Sequence, residues 1–194
     1  KSHVYSDRLI VGVHGGLLGA LVEPNFDFQV PDGLAYNPIG IEIIYDRYSK
    51  LSYAIDFTYF RKDQSTESTD SLRFEGIEVY LGVDQFLSNG INKFRYKLLY
   101  TQYSHFRNKK DLGGAQPTSD KSATMLNGVG AYFGFSGRGC GSKFCLMLEI
   151  AASSKYYFLT DRTIDGVSQD ISGLGVWQHG LELKIAIGYP FHLK

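Results

Sequence analysis

The chain has 194 residues, enough for one sizeable domain, and no composition shift or linker divides it, so 1–194 reads as a single domain. Twenty Lys and Arg balance twenty Asp and Glu, which excludes the bulk basic field that gathers nucleic acid. Gly (22), Tyr (14) and Phe (13) are abundant, Ala-, Leu- and Glu-rich stretches are missing, and no run of about eighteen apolar residues occurs; this excludes a membrane-spanning helix and points to strands.

The start at Lys1, without an initiator Met or an apolar leader, fits a mature protein after signal cleavage or a trimmed chain. Eight segments with period-2 alternation follow: 8–22, 37–48, 51–61, 72–86, 92–106, 124–136, 144–159 and 177–193. Each reaches the length of about 9–11 residues that a tilted membrane strand needs. The second puts Ile39, Ile41, Ile43 and Tyr45 on one face against Glu42 and Asp46; the third sets Leu51, Tyr53, Ile55, Phe57 and Tyr59 against Asp56. The fourth opposes Ile77, Val79, Leu81 and Val83 to Glu78 and Asp84, and the fifth opposes Phe94, Tyr96 and Leu98 to Arg95 and Lys97. In the seventh, Leu146, Leu148 and Ile150 alternate with Glu149 and then Lys155. The eighth sets Leu181, Leu183, Ile185 and Ile187 against Glu182 and Lys184. One face is apolar throughout; the other is small, polar or charged.

Connections alternate in length. Those around Ser49-Lys50, Ser88 to Ile91 and Gly137 to Lys143 are short, whereas 23–36, 62–71, 107–123 and 160–176 are longer and polar. Such alternation is expected of an up-and-down antiparallel barrel with tight turns on one rim and loops on the other; with eight strands, both termini fall on the short-turn rim. Alternation alone also fits a soluble sandwich or lipocalin-like barrel whose apolar set faces a core. Three features favour the inverted, transmembrane arrangement. Aromatics gather toward segment ends, as interfacial girdles require. The polar set mixes signs and is interrupted by Gly, which suits an eight-stranded lumen filled by side chains. Finally, Gly188, Phe191 and Leu193 close the last strand with apolar residues three and five positions after a Gly.

By that ending and the whole-chain pattern, the sequence resembles the small, eight-stranded outer-membrane β-barrel proteins of Gram-negative bacteria. In those proteins this spacing is an assembly signal for the outer-membrane insertion machinery. Ala186 stands where the signal has a polar residue, and Lys194 and Pro190 are further departures; Pro190 lacks a ladder donor and predicts a bulge or a frayed end. The resemblance implies a place in the outer membrane, with long loops extracellular, termini periplasmic, and outer-membrane lipid and lipopolysaccharide as neighbours.

Chemistry is sparse. The expected lumen network comprises Glu42, Asp46, Asp56, Glu78, Asp84, Arg95, Lys97, Glu149, Lys155, Glu182 and Lys184, an acidic excess that could hold water, a cation or a partner's base. Cys140 and Cys145 flank a Gly-rich turn and suit a local disulfide in an oxidising compartment. Arg107, Lys109, Lys110 and Lys121 make the third loop basic, suiting lipopolysaccharide phosphates or an acidic envelope protein. No metal-spaced cluster, cofactor motif or Ser-His-Asp pattern is legible. Small barrels of this kind include lipid A-modifying enzymes, for which Ser104 with His105, or His14, would be the candidates; as strand neighbours, Ser104 and His105 fall on opposite faces and would each need another partner. The reading is a non-enzymatic anchor, adhesin or accessory envelope subunit acting through its loops, with a lipid-modifying enzyme or a small pore as alternatives.

Overall fold

The computed structural model describes residues 7–26, 34–47, 51–65, 70–87, 92–110, 119–125 and 127–193. Twelve strands form one antiparallel sheet: β1 (Arg8–Pro24), β2 (Leu34–Tyr36), β3 (Ile39–Asp46), β4 (Leu51–Ser65), β5 (Asp70–Phe86), β6 (Asn92–Lys110), β7 (Ser119–Met125), β8 (Asn127–Cys140), β9 (Cys145–Phe158), β10 (Asp161–Ile164), β11 (Val167–Ser168) and β12 (Gly175–His192). Eight of them close a ring in the order β1-β3-β4-β5-β6-β8-β9-β12, sealed by the pairing of β1 with β12 from Arg8↔His192 to Pro24↔Val176. Closure leaves the ring no free edge, the condition for burying strands in hydrocarbon.

The period-2 pattern sorts side chains between the two faces. On β12, Leu181 (70% exposed), Leu183, Ile185 and Ile187 stand outward, while Glu182 and Lys184 are buried inside the ring. Ile39, Ile41, Ile55, Leu81, Leu98, Leu148 and Ile150 are likewise exposed. An apolar band encircling the whole wall, with the charges within, has the reverse polarity of a water-soluble barrel, so this wall is built for lipid. Outward rings bound the band: Trp177, Tyr156, Phe158 and Tyr59 on one side, Tyr45, Tyr53, Tyr189 and Phe191 on the other. From Trp177 to Tyr189 the tilted strand spans about 30 Å, which matches a hydrocarbon core with its interfaces.

Several expected connections prove to be strand. β4 and β5 pair through Ser65↔Ser71, β6 runs to Lys110 against β7, and β10–β11 forms a small hairpin within 160–176. Beyond the membrane both faces of a strand meet water, so hydrophobic alternation fades while backbone pairing continues. At the other rim, β8 extends through Gly137 to Cys140, and the turn shortens to 141–144. A register shift between Ile77 and Glu78 against β6 marks where the ring gives way to the projecting sheet. Pro190 produces no bulge: it pairs with Ile10 of β1, and β12 has left β9 by then, the last partner being Gly188↔Cys145. Its missing donor therefore falls where only one neighbour remains.

Candidate functional site

Near the short-turn end of the lumen, Arg95, with no exposed surface, forks onto Asp84 through Nε (2.5 Å) and Nη2 (2.9 Å), while Nη1 donates to Glu42 and lies 3.2 Å from Glu149. A planar guanidinium suits this role because it serves several carboxylates at once. Lys93 also donates to Asp84, and Arg138 (2.7 Å) and Arg8 (2.8 Å) share Asp46, which accepts Ser52 Oγ as well.

Asp56 is the hub at mid-height. It accepts Lys97 (2.8 Å) and Lys184 (2.9 Å) on Oδ2, and Thr58 (3.0 Å) on Oδ1, with His14 Nε2 2.7 Å from Oδ1. Gly40 makes room for this imidazole: a Cβ there would lie 2.5 Å from His14 Nε2 and 2.2 Å from Phe57 O. Gly40→Ala is accordingly expected to push His14 off Asp56 and lower stability by about 1–3 kcal/mol, read from reversible unfolding in vesicles.

Higher still, Glu78 accepts Lys155 (2.9 Å) and Tyr80, and Tyr132 donates to Glu149. Tyr157 Oη lies 2.6 Å from Glu78 and 2.7 Å from Gln178, whose amide donates to Tyr36 Oη (2.8 Å). Above this layer Tyr36, Phe60 and Phe74 pack ring on ring, with centroids 4.9–5.9 Å apart, and Leu18, Ala123, Leu159 and Val176 complete an apolar cap. Phe26, Ile171 and Leu174 cover it from the loop side. The lumen is thus packed with ion pairs below and aromatic rings above.

All eleven residues of the expected network lie buried in this interior. The expected acidic excess of three shrinks to one among the described residues. Lys93 and Arg138 join the lumen, leaving seven acids against six bases. Both were legible as continuations of the alternation, Lys93 two before Arg95 and Arg138 two after buried Ser136. His14, 6% exposed, meets a carboxylate within the plug rather than at an opening to lipid. Ser104 and His105 lie opposite Gly76 and Glu75 in β5, and their side chains fall outside the described residues.

The basic third loop is corrected too. Arg107, Lys109 and Lys110 belong to β6, and Lys121 to β7, where it pairs with Asn108. The side chains of Arg107, Lys109 and Lys110 fall outside the described residues. Arg73 pairs with Arg107 in register, and Asp63 accepts from both Arg61 (2.8 Å) and Arg73 (2.7 Å). These two bonds hold the exposed Asp63 carboxyl below its usual range, Arg73 first. A depressed folded value gives stability present above the ordinary aspartate range and lost as pH falls through the folded one. The cluster is exposed and screened by solvent, so it adds little; Asp63→Asn is expected to leave stability at neutral pH nearly unchanged and to flatten its decline in acid, measured by unfolding at several pH values.

Cys140 and Cys145 are bonded to each other as cross-strand partners in β8 and β9. At the opposite rim, Asp165 (φ 49°) and Gly166 (φ 79°) turn the β10–β11 hairpin. That Asp-Gly pair was readable as a hairpin signal in the sequence.

No family model matches the sequence, and no curated protein matches it. Comparison with solved structures finds the translocator domain of the autotransporter NalP from Neisseria meningitidis, at TM-score 0.54 and 9% identity over 96% of this chain and 89% of that one. It also finds Ail, the attachment invasion locus protein of Yersinia pestis, at TM-score 0.51 and 14% identity over 96% of this chain and 100% of that one. At such identities the likeness concerns fold alone. The chain has the eight-stranded fold of the small bacterial outer-membrane β-barrels.

Proposed function

We propose that this protein is a non-conducting, non-enzymatic barrel of the bacterial outer membrane that presents its projecting β-sheet and loops, on the extracellular side, to an envelope or external partner. The observation that carries this reading is the closed lumen: Arg95, Lys93, Lys155 and Lys184 are at most 1% exposed, and the Tyr36–Phe60–Phe74 cap lies above them. A packed ion-pair network supports a plug rather than a water path, which leaves the rim as the accessible chemical surface. Strands β4–β7, with β10 and β11, rise there as paired backbone and give recognition side chains a firm base. The start of β1 and the end of β12 lie on the short-turn rim, which supports a periplasmic short-turn side and an outward sheet.

Two measurements test this. Purified protein in planar bilayers is expected to show no continuous conductance; steady channels that change with Glu78→Gln would replace the anchor by a pore. In intact cells, a photo-crosslinker at Val167, 62% exposed on the β11 edge, is expected to yield a discrete protein adduct, whereas one at outward Ile150 should not. Equal adduct patterns at both sites would count against a rim interface.

A further inference from the structure

The two rims differ in charge. Along the long-loop rim, residues 23–36, 61–75, 105–125 and 159–175 carry twelve acids and eight bases. The short-turn rim is the reverse, and its bases are grouped. In ring order the strands β4, β3, β1, β12, β9 and β8 are consecutive neighbours. Their ends bring together Arg47 just after β3, Arg8 at the start of β1 and Lys143 in the β8–β9 turn. Asp7 is the acid among them, and it accepts the Tyr45 hydroxyl at 2.7 Å. Asp46 does not cancel the excess, since two guanidiniums, Arg8 and Arg138, share it. The remaining turn, 87–92 between β5 and β6, has no charged residue, so the basic arc occupies one side of the barrel.

Its height is what gives the arc a partner. Tyr45, Phe144, Tyr189 and Phe191 are exposed on the outer wall of these same strands, at the level where aromatic girdles sit among headgroups. Arg47 and Lys143, both exposed, lie just beyond those rings. We infer that this arc is a binding surface for anionic phospholipid headgroups of the leaflet on the short-turn side, with the acyl chains lying along the apolar wall of β3, β1, β12 and β9. Clustered Lys and Arg immediately beside a membrane-spanning wall attract anionic lipid, each contributing about a fivefold preference. The inference requires the wall to face lipid; it does not depend on a rim partner, so failure of the crosslinking test would leave it standing.

The test uses the full chain extracted in mild detergent, titrated with phosphatidylglycerol or with phosphatidylcholine, lipid adducts being counted by native mass spectrometry. Phosphatidylglycerol is expected to occupy the protein at least about 25-fold more tightly than phosphatidylcholine. The double variant Arg47→Gln/Lys143→Gln should lose roughly 25-fold, about fivefold per base, and high salt should weaken the wild type in the same direction. Arg61→Gln/Arg73→Gln on the other rim should leave lipid occupancy unchanged, and far-UV circular dichroism checks that both variants keep the barrel. Equal retention of the two lipids, retention insensitive to Arg47 and Lys143, or release of an acidic protein with lipid occupancy unaltered would each overturn the proposal.

Discussion

Replacing Arg95 by alanine is expected to destabilise the folded barrel by about 3–5 kcal/mol, because it removes the cation from a fully buried pair and leaves Asp84, Glu42 and Glu149 facing one another without it. Lys93 still serves Asp84, and Lys97 and Lys184 lie 3.8 Å from Glu149, too far to replace a bidentate guanidinium. Reversible urea unfolding in lipid vesicles reads this loss. Arg95→Lys should recover part of it, since a point charge can reach one carboxylate but cannot fork onto two. A decrease well under 1 kcal/mol for Arg95→Ala would mean that the lumen is wet enough for water to take over, and the plug would have to be abandoned.

Leu183→Arg is the second large effect, expected to cost about 2–4 kcal/mol in lipid because Leu183 lies midway along the outward face of β12, beside Ile150 of β9. Polarity matters more than size here, so Leu183→Ala should cost much less. If the wall faced water instead, an outward arginine would be neutral or would improve solubility. Together the two substitutions distinguish the faces: one removes a charge that belongs inside, and the other adds a charge where none can be solvated.

Much of this architecture was legible because a membrane barrel writes its two faces in strict alternation. Leu181, Leu183 and Ile185 against Glu182 and Lys184 needed only the strand period to be assigned to opposite sides of the wall. The projecting sheet was hidden for the same reason. In Lys62 to Ser71 and Arg107 to Ala123 polar residues occupy both faces, so strands such as β7 carry the composition of loops; their pairing is set by the ring beneath them. Arg138 was overlooked because the sixth segment was read as stopping at residue 136, and Lys93, inside the fifth, because its faces were assigned only from Phe94 onward; both continue the parity. The hub at Asp56 depends on cross-lumen distances from β1, β6 and β12, which no local pattern encodes.

Trp177 offers the most direct measurement of the central claim that the apolar wall is immersed in lipid. It is the single tryptophan, it stands outward with nearly half its surface exposed, and it packs between Tyr156 (4.9 Å between ring centroids) and His179 (5.7 Å) in one aromatic girdle. In vesicles of brominated phospholipid its fluorescence should be strongly quenched, most by bromines close to the headgroups, with a blue-shifted emission and little response to aqueous iodide. Emission that ignores brominated lipid and falls with iodide would place this face in water, and the membrane barrel would be contradicted.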